Sequence, residues 1–335
     1  MYGSDLDIVY ADALSKNDKL KNDSFDVLIA NPPYSVKGFL QTLSDEDKSN
    51  FELINEVDSK SYSKTGAIEC FFIEKAKQLL AKDAVVGIIV PSSILNKDTP
   101  KLYTKTRELL LESFDIIAIA EFGSGTFGKT GTNTVTLFLR RISDNPNLKQ
   151  YYIKIIEKDK LLYYALAQKQ NNDIIIVKSP SKNEENKKFL GYEWGGRKGN
   201  EGIQYLTSAK IELEDELEDE DKRVLENLQG LKHINTPLYN PSNINDNTKI
   251  NKLIKDTFDD KNVTIPDELK KYVTSGRLID MMDIRRVDFN KSINLNPAKK
   301  VEIKSKWDKF SLETFIIENQ KSKIQVNQAK ENKNS

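Results

Sequence analysis

Phe25-Asp26-Val27-Leu28-Ile29-Ala30 runs directly into Asn31-Pro32-Pro33-Tyr34, so an apolar run ends in a rigid corner of one amide, two prolines and one aromatic ring. These residue types suit one task, activation of the exocyclic amine of a planar base. Such an amine is a poor nucleophile because its lone pair is delocalised into the ring. The Asn31 side-chain oxygen and the Pro32 carbonyl can each accept one of its hydrogens, which draws the pair back onto nitrogen and favours a tetrahedral, partly positive transition state. Pro32 and Pro33 fix φ and so place the acceptors before a substrate arrives. Tyr34 can stack on a base turned out of its duplex, a contact of roughly 1–3 kcal/mol. Asn, Asp or Ser followed by two prolines and an aromatic arises by chance in about one chain of this length in a hundred. The plain alternative is an Asn-Pro turn with an aromatic packed beneath it.

The elements that must position this corner follow from hydrophobic periodicity. Asp7–Tyr10, Phe25–Ala30, Val85–Val90, Phe114–Glu121 and Thr134–Arg140 read as strands. Glu69–Leu80, with Phe72, Ile73, Ala76, Leu79 and Leu80 at helical spacing, reads as a helix, as does Tyr103–Leu111. The alternation predicts an α/β sheet, in which ligands gather beyond the carboxyl ends of the strands, where the corner falls. The polar stretch Leu43–Thr65 reads as a long loop. Near Asn145 the composition turns lysine- and asparagine-rich. The expected division is a catalytic region over 1–145, a mixed, mostly helical accessory region over 146–319, and a disordered polar tail over 320–335. Within the accessory region Asn172–Lys178 reads as a strand, Gln204–Leu231 mostly as a helix, and Lys249–Phe258 and Asp267–Val273 as short helices.

Lysine plus arginine and aspartate plus glutamate each number 51 in the 335 residues, so no net field draws the chain to nucleic acid, and any such contact must be local. A single cysteine, Cys70, and a single histidine, His233, exclude an internal disulfide and argue against a zinc site, and no metal is expected. The start lacks a basic-then-apolar leader pattern and no apolar run approaches a membrane span, so the expectation is a cytoplasmic protein without a membrane partner.

The corner, with what surrounds it, resembles the adenine-specific DNA methyltransferases that serve as modification subunits of type I restriction-modification systems, and the related fused restriction-methylation enzymes. The resemblance covers roughly Asp5 to Arg141. It implies a partial Rossmann-like sheet and methyl transfer from S-adenosylmethionine to the adenine amine in DNA, with Asn31, Pro32, Pro33 and Tyr34 as catalytic residues. Ala11-Asp12-Ala13-Leu14 is similar to the segment after the family's third strand, which assigns Asp12 to the adenine end of the cofactor. Ile68–Leu80 is similar to the following helix and assigns Phe72 to the border of the cofactor pocket. Val86-Gly87-Ile88-Ile89-Val90-Pro91-Ser92 and Thr132-Asn133-Thr134-Val135 match the next strand with its exit loop and a late hairpin. The bland readings are a turn residue for Asp12 and a core residue for Phe72.

One departure stands out. The family carries a glycine-rich turn and a ribose-gripping acid on two central strands, and only eleven residues precede Asp12. The resemblance then implies apolar faces left open beside Ile8 and Ile29. The expected partners are DNA, a polypeptide carrying the remaining cofactor-binding half, and a target-recognition or specificity subunit; activity would need that half. The competing expectation is an inactive remnant or partner-binding subunit.

Gly123–Thr130 satisfies the phosphate-binding pattern of P-loop nucleotide hydrolases, with Lys129 as its lysine, yet Thr132–Leu139 continues as a β-branched strand where a helix is required. Gly191–Gly199, with Tyr192, Trp194, Arg197 and Lys198, could touch DNA phosphates or serve as a linker. The acidic run Glu212–Asp221 reads as a solvated helix face. Trp307–Leu312 is similar to the point where a target-recognition domain begins in the fused relatives.

Overall fold

The computed structural model describes residues 8–123, 131–143, 173–181, 183–191, 193–194, 203–204, 236–240, 242–282 and 291–296. β1 is Phe25–Ala30, and short helices α1 (Phe39–Thr42) and α2 (Asp45–Ser49) follow it. α3 (Ile68–Leu79) leads into β2 (Leu80–Pro91), and α4 (Lys101–Ser113) into β3 (Phe114–Gly123) and β4 (Thr134–Arg141). Then come β5 (Ile174–Lys178), α5 (Asn183–Leu190), a two-stranded piece of β6 (Glu193–Trp194) and β7 (Ile203–Gln204), α6 (Ile250–Phe258), β8 (Val273–Gly276) and α7 (Leu278–Met281).

Six strands form one mixed sheet in the order β1-β2-β4-β3-β5-β8. β1 with β2 and β3 with β5 are parallel, while β4 runs antiparallel to both β2 and β3. β1, β2, β3 and β5 therefore share one direction, and their carboxyl ends form one rim. Two of the six strands, β5 and β8, come from beyond residue 145.

Alternation along the strands divides the sheet into two faces. Val86, Ile88 and Val90 of β2, Val135, Leu137 and Leu139 of β4, and Ile116 and Ile119 of β3 are buried against α3 and α4 in the larger core. The opposite face buries Ala118, Ala120, Ile175 and Val177 under Phe189, Leu253 and Ile254. That second cover does not reach β1, where Val27 is 58% and Ile29 88% exposed. Ile29 pairs with Gly87 of β2, above which a Cβ would meet nothing within 4 Å.

Most strands and both long helices lie where periodicity puts them, and three expectations change. Ile8–Tyr10 belong to no strand; their β propensity is real, but among the described residues no strand pairs with them, and Ile8 and Tyr10 stay exposed. Leu43–Thr65 is not an open loop. It holds α2, capped by Ser44, and two 3-10 turns, Glu52–Glu56 and Ser59–Ser61, and it buries Leu43, Phe51 and Leu53. Glu74 of α3 anchors it, accepting the backbone N–H groups of Glu52 and Leu53. Asp267–Val273 forms only a 3-10 turn, Asp267–Leu269, before β8, because β5 offers Val273 an antiparallel partner. The helix expected over Gln204–Leu231, the acidic run Glu212–Asp221, His233, Trp307–Leu312 and the tail 320–335 lie outside the described residues, except that Gln204 sits in β7.

Candidate active site

Asn31 follows the last residue of β1, so the corner stands on the rim formed by the carboxyl ends of the parallel strands. Beside it, β2 ends at Pro91, and the Ser92 N–H donates to the Asn133 carbonyl (2.9 Å), which joins the exit loop of β2 to the start of β4. Pro32 is buried, Tyr34 half-buried, and Asn31 and Pro33 are exposed. The anchor is thus a proline ring, with the amide facing solvent.

The Tyr34 hydroxyl donates to the Asn31 side-chain oxygen. An amide oxygen has two lone pairs, so Asn31 keeps one acceptor position for a further donor while Tyr34 holds its rotamer. Burial, and then the charge of Glu69, raise the Tyr34 hydroxyl above its ordinary value, which keeps it protonated as that donor at neutral pH.

Behind the corner the chain turns sharply. Ser35 adopts φ 54°, in the left-handed region unusual for a residue with a Cβ. Gly66 permits this turn, since a Cβ there would lie 3.3 Å from the Ser35 carbonyl oxygen. The Ser35 N–H donates to Glu69 (3.3 Å), and the other carboxylate oxygen accepts the Tyr103 hydroxyl of α4 (2.8 Å). Glu69 is fully buried and Tyr103 is 4% exposed. The sequence reading missed Glu69, because an acid in the first turn of a helix is ordinarily a solvated partner of the helix dipole. The available signal was its place in an otherwise apolar stretch, Ala67-Ile68-Glu69-Cys70-Phe71.

The two expected cofactor residues are placed along the same helix. Phe72 follows Glu69 by one turn and is half-buried against the larger core. Asp12 is exposed, and its carboxylate accepts the Leu14 N–H (2.9 Å) while its carbonyl accepts that of Ser15 (3.1 Å), a capped turn. Lys75 donates to the Ser15 carbonyl (3.4 Å), and burial holds its ammonium below the ordinary lysine range against the charges of Asp47 and Asp12. Glu69, Phe72 and Lys75 follow one another at intervals of three residues along α3, with Glu69 and Lys75 about 120° apart around the helix and about 9 Å apart along it. The structure joins Asn31 directly to Tyr34; Phe72 shares α3 with Glu69, and Lys75 of the same helix reaches the turn that holds Asp12.

Of the glycine segments singled out from sequence, Gly123 closes β3 with φ 77°, and residues 124–130 lie outside the described set. Gly191, Glu193 and Trp194 are the described part of the second segment. Among the described residues no group of three or more His, Cys, Asp or Glu could hold a metal ion, and no helix is long and apolar enough to cross a membrane.

Residues 5–127, which include the corner, match the Eco57I restriction-modification methylase family. The particular relative found is the type II restriction enzyme and methyltransferase Eco57I of Escherichia coli, 28% identical over 160 residues. That alignment takes in 46% of this chain and only 15% of the relative. Among solved structures, the methyltransferase subunit of a type I restriction-modification system from Streptococcus thermophilus aligns at 17% identity and a TM-score of 0.35, covering 66% of this chain and 35% of that one. The M protein of the type I restriction enzyme EcoKI aligns at 13% identity and a TM-score of 0.32, covering 52% and 30%.

Proposed function

We propose that this chain carries the catalytic corner for methyl transfer from S-adenosylmethionine to the exocyclic amine of adenine in DNA, within a cytoplasmic restriction-modification system. The observation that carries the reading is the Asn31–Tyr34 pair on the rim of the sheet, inside the stretch that matches the methylase family. A base turned out of the duplex would place its amine against the open lone pair of Asn31 and the Pro32 carbonyl. Both acceptors strengthen as the nitrogen becomes tetrahedral and positive, so they favour the transition state over the ground state. Pro33 holds the corner's φ, and Tyr34 offers its ring to the base. Bound S-adenosylmethionine would supply the electrophilic methyl carbon. One amine proton leaves to water afterwards, so no strong base is needed at the corner.

Asp12 and Phe72 would hold the cofactor's adenosine end, an exposed carboxylate for its polar groups and a half-buried ring for its base. DNA and the subunits of a restriction-modification complex are the partners of this reading. The uncovered strip of Val27 and Ile29 on β1 is where a completing polypeptide would meet the sheet. The same strip favours the second reading, a partner-binding subunit in which the corner is only structural.

Asn31→Ala separates the two. In the completed assembly it is expected to lower adenine methylation about a hundredfold to a thousandfold, the scale of a lost transition-state hydrogen bond, with DNA affinity nearly unchanged. Full retained activity would remove the mechanism. Calorimetric titration with S-adenosylmethionine, repeated with Asp12→Ala, tests the cofactor assignment by the loss of affinity in the variant.

A further inference from the structure

A carboxylate buried from solvent normally costs stability unless its oxygens find donors, and Glu69 has both of its oxygens engaged by groups from different elements. One donor is the backbone N–H of Ser35, the residue that turns the chain directly after Tyr34. The other is the hydroxyl of Tyr103, which also shares a hydrogen bond with Ser93 in the exit turn of β2, and the Tyr103 ring lies under the Lys97 ammonium, 4.8 Å from ring centroid to nitrogen. Glu69 itself sits in the first turn of α3, where the aligned backbone dipoles favour a negative charge. Three elements thus converge on one carboxylate: the corner after β1, the amino end of α3, and α4 with the exit turn of β2.

We infer that Glu69 is a positioning residue, whose carboxylate sets the rotation of the Asn31–Tyr34 pair by holding the Ser35 N–H and locks that rotation to the exit turn of β2 through Tyr103. The inference rests on the proposed reaction only for its kinetic consequence; the structural brace stands without it. Losing the clasp leaves Ser35 in a left-handed conformation without its hydrogen bond, and the Asn31 oxygen moves relative to the Pro32 carbonyl. Displacement of an acceptor by a fraction of an ångström to one ångström is expected to cost about tenfold to a hundredfold in kcat.

The test is made on the full chain carrying ring-labelled tyrosine, with the Tyr34 signal among the 13 tyrosines identified through Tyr34→Phe. Glu69→Gln keeps the shape but replaces one carboxylate oxygen by a donating NH2, so the Ser35 N–H and the Tyr103 hydroxyl no longer each meet an acceptor where they now point. The Tyr34 signal should shift in this variant while those of Tyr62 and Tyr272 stay in place, and Glu69→Asp should restore it in part. Tyr103→Phe, which keeps the carboxylate, should move Tyr34 less, and it decides the matter if Glu69→Gln does not fold. An unchanged Tyr34 signal in a folded Glu69→Gln chain overturns the inference, as does an unchanged signal in Tyr103→Phe should the Gln variant fail. In the completed assembly Glu69→Gln should lower kcat with KM for DNA little altered. Failure of the reaction itself would show separately, as full activity in Asn31→Ala.

Discussion

The two edges of the sheet are built differently. β8 is four residues long, and beyond its buried Val273 it presents Thr274 and Ser275 to solvent. β1 is six residues long and presents Val27 and Ile29 beside the open ground over Gly87. A short polar strand is how proteins ordinarily finish a sheet, whereas a longer apolar one offers both backbone groups and side chains to another chain. The apolar edge is also the one that ends in the Asn31–Tyr34 corner, so a polypeptide that paired with β1 would touch the strand that positions it.

The sharpest way to break this contrast is to charge each edge in turn. Val27→Lys combined with Ile29→Lys should weaken concentration-dependent association of the chain, or its capture of a completing polypeptide, by about tenfold or more, since each buried aliphatic side chain contributes roughly 1.5–3 kcal/mol. Sedimentation velocity over a range of concentrations reads it, and equal association in both forms would make the two edges equivalent.

Tyr103→Phe probes the braced side of the corner. Leaving Glu69 short of a donor should destabilise the fold by about 1–3 kcal/mol at neutral pH, read by urea unfolding. Burial, and then the charge of Glu69, push the Tyr103 hydroxyl well above the ordinary tyrosine range. The folded state thus holds this proton more tightly than the unfolded chain does. The resulting stability is complete below a pH of about 10 and is lost as pH rises toward the folded value, so the gap between wild type and Tyr103→Phe should narrow in alkali.

Gly66→Ala should cost roughly 1 kcal/mol, because the new methyl meets the Ser35 carbonyl oxygen at a distance that forces the corner to yield. Smallest of all, Ser275→Lys on the finished edge should stay within about 0.5 kcal/mol of wild type and leave association unchanged.

Much of this architecture was legible in the residues. β1, β2, β3, β4 and β5 carry period-two or continuous apolar runs, and α3 and α4 carry clear helical stripes, so their existence follows from local pattern. What pattern cannot supply is pairing. Ile8–Tyr10 has the composition of a strand and no partner, while Val273 had a partner in β5 that no nearby residue announces. The stretch after Leu43 looked open because Phe51 and Leu53, which bury it, are too sparse to make a period, and their anchor Glu74 lies on α3. At the site, Asn31 to Tyr34 were visible because their types and order are rare. Glu69 was not, because its meaning lies in Ser35 and Tyr103, each 34 residues away along the chain.

The position of β4 between β2 and β3 has a consequence for synthesis. Every group that braces the corner, from Ser35 to Tyr103, precedes β4 in the chain, yet β2 and β3 touch β4 and not each other. The sheet cannot close until residues 134–141, antiparallel to β3, also pair with the distant β2, a long-range step of the kind that slows folding. For that interval β2 as well as β1 shows an unpaired edge, and a polypeptide that binds the growing chain then meets a wider and stickier surface than the finished protein displays.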